Sequence, residues 1–174
     1  AVGLFHVAGV TPEAADVETA LGHAEPEKMI RVDSQIVADA RARLSTAERP
    51  DRFDAVAIGS PHLSGEELAR LERLVGGRRL AVPIYACTGR HVLTSLSKDR
   101  RTALEKAGVV LVADTCVVVT PIMPALAGGV LMTNSGKFAH YAPGNTGYSV
   151  LYGSLAECVE SAVSGRPRWA GAPS

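Results

Sequence analysis

Apolar residues recur along this chain in two alternating rhythms. Short runs rich in β-branched side chains begin near Val2, Met29, Val56, Val82, Val109 and Leu131, at intervals of 27, 27, 26, 27 and 22 residues. Between them the apolar positions fall at helical spacing. A β-branched run reads as a strand and the intervening stripe as an amphipathic helix. No self-similarity accompanies the spacing, so the unit is strand plus helix and not a solenoid repeat. Right-handed crossovers between such units predict an α/β fold: a mainly parallel, doubly wound sheet with helices on both faces.

Capping signals place most of the helices. Thr11 followed by Pro12 predicts a first helix, since proline has no N–H to lose there. Lys28 to Val32 reads as a strand, and Asp33 caps a helix whose Ile36, Val37, Ala40 and Leu44 share one face. After the strand Asp54 to Gly59 and the turn Ser60-Pro61-His62-Leu63, Ser64 and Glu67 form a capping box. Leu68, Leu71 and Val75 then make a buried stripe that Gly76-Gly77 closes. Leu80 to Ala86 is a strand running into Cys87-Thr88-Gly89-Arg90-His91, and a helix spans Ser97 to Ala107. Val109 to Ala113 is apolar throughout, which predicts a central strand covered on both faces. Beyond Cys116, Pro121, Pro124 and Gly128-Gly129 break the path before the strand Val130 to Thr133. The tract with His140, Tyr141, Pro143, Gly144, Asn145 and Gly147 reads as irregular chain exposing backbone N–H groups. Tyr148 to Tyr152 is a strand, and Ser154 with Glu157 is a second capping box, on a helix ending at Gly165. One domain over residues 1–165 is expected, with a Pro/Gly-rich tail over 166–174 that is loose unless Trp169 anchors it.

Charge and cysteine count narrow the function classes. The 18 Lys and Arg balance 18 Asp and Glu, and no basic block occurs, so nothing draws in nucleic acid or an anionic membrane. The apolar runs are short against the roughly 20 residues that cross a bilayer. The opening AVGLFHVAG lacks a basic leader, and three cysteines do not make a disulfide framework. A cytoplasmic setting is expected.

Candidate chemistry gathers at strand ends, where ligands of open α/β sheets collect. Asp114, Thr115 and Cys116 follow the strand Val109 to Ala113. Cys116 there suits a buried apolar side chain, a reactive thiol or a metal ligand, and Asp114 could simply cap the turn. Ser135 and Lys137 offer a hydroxyl and an ammonium beside backbone N–H groups, a combination that binds carboxylate or phosphate. The glycine spacing is wrong for a Walker A loop, so no nucleotide is expected. His62 in the Ser-Pro-His turn could bind substrate or move a proton, or simply bond to nearby backbone. Tyr141 could stack on a ligand or pack. His6, in an apolar run, reads as a core histidine, and Cys87 as an ordinary core or turn thiol. Cys158 lies with Leu155, Val159 and Ala162 at helical spacing, the pattern of a core position.

Five ordered segments carry a resemblance: GVTPEA (Gly9 to Ala14), IGSPHLS (Ile58 to Ser64), ADTC (Ala113 to Cys116), TNSGKFAHYAPG (Thr133 to Gly144) and GSLAECVESA (Gly153 to Ala162). Together they resemble the aconitase X family over nearly the whole chain. The resemblance implies part of a hydro-lyase that removes a hydroxyl group as water, acting on cis-3-hydroxy-L-proline or on mevalonate 5-phosphate, the former favoured. A stand-alone, non-catalytic small-ligand-binding domain is the alternative. It further implies an iron-sulfur cluster, [2Fe-2S] or another type, or a mononuclear iron, shared with residues outside this chain. Cys116 and Cys158 would be its ligands here, His62 the catalytic group, and Ser60, Ser135, Lys137, Tyr141 and Thr11 the substrate contacts. Where the family often has cysteine before Pro-His, this sequence has Ser60, a poorer iron ligand. The family's large polypeptide is longer and is completed by a small swivelling subunit or domain. The chain is therefore expected to be a carboxyl-terminal piece of the large part, inactive by itself.

Overall fold

A computed structural model describes residues 4–48, 50–123 and 128–169. The chain divides into two compact units, Ala1–Ile36 and Val37–Ser174. In the first unit, neither of the expected strands forms among the described residues. A strand needs a neighbour for its backbone groups, and among the described residues these runs find none; Val2 itself lies outside them. Leu4, Phe5, His6, Met29 and Ile30 are exposed, so His6 is not a core histidine. The helix expected from Pro12 is also displaced. Thr11 spends its hydroxyl within a tight turn, accepting the Val7 N–H at 2.8 Å, and a four-residue helix α1 (Val17–Ala20) begins later, capped by Asp16.

Helix α2 (Ser34–Leu44) starts where Asp33 accepts the Ile36 N–H at 2.9 Å. Ile36 and Val37, expected on its buried stripe, are 40% and 48% exposed.

The second unit is an α/β sandwich. Its elements are β1 (Ala55–Leu63), α3 (Gly65–Val75), β2 (Ile84–Thr88), α4 (Arg90–Ser95), α5 (Lys98–Ala107), β3 (Val109–Ala113), β4 (Val130–Thr133), α6 (Gly136–Thr146), β5 (Ser149–Tyr152) and α7 (Leu155–Ser164). Every strand pair is parallel, in the order β3-β2-β1-β4-β5. The strand expected at the centre, β3, is therefore an edge, with Val110 41% exposed. An apolar β-branched run says that a strand forms, not how many neighbours it has. The centre is β1.

Alternation along the strands sorts the core into two faces. Val56, Ile58, Ile84, Ala86, Met132 and Leu151 point to one, under the stripes of α3, α4, α5 and α7. Ala55, Ala57, Cys87, Leu131 and Val150 point to the other, under Phe138, Ala139 and Ala142 of α6. A fully buried side chain such as Leu71 contributes roughly 1.5–3 kcal/mol by leaving water. Both expected capping boxes form, at Ser64 and at Ser154. The free edge of β5 is bonded by Ser45 and Thr46, whose backbone and hydroxyl groups meet Val150 and Tyr152. In the tail, Trp169 packs on the first face and the Arg168 N–H donates to Ser161 Oγ at 2.8 Å. Among the described residues no helix is long and apolar enough to cross a membrane.

The tract expected to be irregular after β4 is instead α6. Phe138, Ala139 and Ala142 give it a buried stripe, and Pro143 sits near its end, where a missing N–H costs one bond.

Midway along β1, where its regular pairing with β2 stops, Gly59 adopts φ +89°, and a Cβ there would lie 2.0 Å from the Cys87 carbonyl oxygen. Gly59→Ala is expected to destabilise the second unit by about 3 kcal/mol or more. Urea unfolding of the 174-residue chain followed by circular dichroism checks this; a loss under about 1 kcal/mol would show that the close approach is not required.

Candidate functional site

Sheet topology locates the site. Chain order reverses direction at β1, with β2 and β3 on one side and β4 and β5 on the other. Ligands in such sheets bind outside the carboxyl ends at this reversal. Here β1 leaves its register: Ile58 pairs with Ala86, but the next pairing is Leu63 with Thr88. The extra residues keep Ser60 buried and project Pro61 and His62 outward before Thr88 Oγ1 recaptures the strand by donating to the Leu63 carbonyl at 2.5 Å. The Ser60-Pro61 peptide in this turn is cis.

Two contacts tie that turn to its neighbours. On the β4 side, Ser135 Oγ donates to the Ser60 carbonyl and accepts the Phe138 N–H at 3.1 Å, capping α6. On the β3 side, His62 Nε2 lies 3.2 Å from the Thr115 carbonyl oxygen. A carbonyl only accepts, so Nε2 carries the proton and Nδ1 is the acceptor of the neutral ring. His62 is exposed and Ser60 buried.

The turn after β3 is fixed in its own way. Asp114 takes a left-handed conformation, φ 58°. Its N–H donates to the Thr88 carbonyl at 2.9 Å. Its carboxylate accepts the Arg90 N–H at 2.8 Å and pairs with Arg90 Nε. The Arg90 backbone N–H first, then its guanidinium, hold the Asp114 carboxyl below its usual range. Thr115 and Thr120 hydroxyls share a 2.5 Å hydrogen bond, and the Cys116 carbonyl accepts from Val119 and Thr120.

Cys116 is half-buried beside Cys87, whose thiol is pushed up to about 11 by burial. Cys158 lies elsewhere. It is fully buried on α7 against the first face of the sheet, while Cys116 packs on the second. Burial also raises its thiol. The structure therefore does not bring Cys158 to Cys116, and its helical spacing is that of a core side chain. Among the described residues no three His, Cys, Asp or Glu side chains converge as a metal site.

The expected substrate contacts are placed unevenly. Ser60, His62 and Ser135 meet at the projected turn. Lys137 is exposed in the first turn of α6, a position with no acidic partner in that turn, where a cation opposes the helix dipole unless an anion joins it. Tyr141 lies on the same helix, exposed, edge-on to His140 at 4.9 Å. Thr11 belongs to the first unit, in the turn described above. Arg90 is the residue sequence reasoning passed over; its signal was a position immediately after a strand-end glycine. Two hollows of the second unit are lined by other residues. One of about 810 Å³ is lined by Arg41, Tyr152, Arg168 and Trp169 among others, and one of about 220 Å³ lies between Val117–Pro121 and the end of α6. Neither is lined by Ser60, His62, Arg90, Cys116, Ser135 or Lys137. The rim is exposed at His62, Arg90 and Lys137, and its convergent polar groups mark it over the larger hollow.

Residues 53–164 match the family described as aconitase X third domain. The chain is 42% identical to cis-3-hydroxy-L-proline dehydratase of Pseudomonas aeruginosa, over 97% of this chain and 30% of that enzyme. It is 33% identical to the phosphomevalonate dehydratase large subunit of Methanosarcina mazei, over 98% of this chain and 40% of that subunit. The crystal structure of Thermococcus kodakaraensis aconitase X, in its holo form, superposes with a TM-score of 0.65 at 25% identity, covering 81% of this chain and 36% of that one. The chain thus spans less than half the length of these relatives.

A carboxylate lowered in the folded state contributes stability above its unfolded pKa, near 3.8, and loses that contribution as pH falls through the lower folded value. Asp114→Asn is expected to lower the urea midpoint by a constant amount above about pH 5, an amount that shrinks below about pH 4. Urea melts of both proteins from pH 7 to pH 3 check this; a difference that does not change with pH would contradict the Arg90–Asp114 pairing.

Proposed function

The chain belongs to the aconitase X family, whose third domain it contains, and from that premise we propose that it is one part of a hydro-lyase acting on a hydroxylated acid. The reading is carried by 42% identity over 97% of the chain to a cis-3-hydroxy-L-proline dehydratase, against 33% to a phosphomevalonate enzyme. Cis-3-hydroxy-L-proline is accordingly the proposed substrate. Both enzymes are far longer than this chain, so further domains, and a smaller swivelling subunit or domain, would close the open rim. The three free thiols suit a reducing, cytoplasmic compartment.

Dehydration needs a base for the substrate proton, an acid for the departing hydroxyl and an anchor for the acid group. His62, with its Nε2 proton committed to the Thr115 carbonyl, presents Nδ1 for the proton transfer. Lys137 and the first N–H groups of α6 receive the carboxylate. Ser135 sets their position, because its hydroxyl is already engaged by Ser60 and Phe138. Ser60 shapes the turn, and Tyr141 borders the Lys137 side. Cys116 is the thiol this chain offers to an iron centre completed from outside it.

The test is to express the dehydratase-length polypeptide with its partner anaerobically, and to measure iron, sulfide and turnover. Iron should be bound, cis-3-hydroxy-L-proline should turn over faster than mevalonate 5-phosphate, and Cys116→Ser should lower the iron content. Full activity in iron-free protein would contradict the iron reading. Failure with both acids in iron-loaded protein would leave a non-catalytic ligand-binding domain.

A further inference from the structure

We propose that Arg90 is a second anchor for the substrate carboxylate, gripping it from the side opposite Lys137; this rests on the reading of the rim as the substrate site. Arg90 stands at the carboxyl end of β2, between the turn of β1 that carries His62 and the turn of β3 that carries Cys116. Its stem is immobilised: the backbone N–H and Nε both bond to Asp114, which the left-handed turn and the Thr88 carbonyl hold in place. Yet the side chain remains 82% exposed, against 38% for Asp114. Asp114 engages Nε, so the open edge of the guanidinium is the fork of its two Nη nitrogens. That fork matches a carboxylate in two parallel hydrogen bonds, which an ammonium cannot do.

Position supports the same ligand for both cations. Roughly 10 Å, two strand spacings, separates the ends of β2 and β4, with the His62 turn between them. Extended Arg and Lys side chains can close that span over one small acid. The proton to be removed from a 2-carboxylate substrate is adjacent to that carboxylate, so an anchor beside His62 also brings the carbon to the base. As that proton leaves, charge develops on the carboxylate, where a prepositioned fork stabilises it.

Two measurements test the proposal. In the 174-residue chain, ¹⁵N NMR titration with L-proline, which has the carboxylate but no hydroxyl to lose, should shift the Arg90 Nε–H signal, and Arg90→Ala should weaken binding at least 10-fold. In the dehydratase-length enzyme, Arg90→Ala should raise KM for cis-3-hydroxy-L-proline about 10- to 100-fold with a smaller fall in kcat, and Arg90→Lys should recover little of it. An Arg90 signal unmoved by proline, or a KM within twofold of wild type, would overturn the assignment. If the wild-type enzyme turns over neither acid, the dehydratase reading fails by itself, and the proline titration alone decides Arg90.

Discussion

Everything on the rim depends on how the central strand ends. Gly59 lies so close to the Cys87 carbonyl that no side chain fits, and β1 then runs out of register before Thr88 recaptures it at Leu63. Pro61 and His62, between them, are forced outward at the point where the sheet's winding reverses. Ser135 then joins this turn to α6, and His62 joins it to the turn after β3. One close backbone approach therefore sets the relative position of groups from β1, β3 and β4, which are distant in sequence. Backbone packing of this kind holds functional groups more firmly than side-chain contacts alone.

The sequence was most legible where a local rule and the global fold agreed. Both Ser-x-x-Glu capping boxes appear where their spacing puts them, and Gly76, Gly108 and Gly165 close their helices in the left-handed conformation. The spacing of β-branched runs foretold the parallel sheet. It failed at Lys28 to Val32, since apolar runs become strands only if another strand is there to bond; Val2 lies outside the described residues. It also misplaced β3, because edge and centre differ in neighbours and not in residue type. Pro143 and Gly144 concealed α6, whose signal was the stripe Phe138, Ala139, Ala142.

The site was legible in its location and less so in its roles. Strand-end placement brought out Cys116, His62, Ser135 and Lys137, and the fold puts all four on one rim of the sheet. Ser135, however, has its hydroxyl spent on Ser60 and Phe138, contacts that its place in the sequence does not show. Cys158 carried both a family motif and a core periodicity, and its burial on the opposite face agrees with the periodicity. Arg90 had no sequence motif; its importance comes from the left-handed Asp114, which holds it from 24 residues away.

The exposed rim, with the larger hollow lying beside Trp169, leaves one decisive question of place. A crystal structure of the dehydratase-length protein with a non-reactive hydroxyproline analogue would answer it. The analogue should lie over the carboxyl ends of β1 and β2, its ring carbons next to His62 and its carboxylate within hydrogen-bonding distance of Lys137. An analogue seated against Trp169, or at the amino ends of the strands, would contradict the central role of the β1 turn.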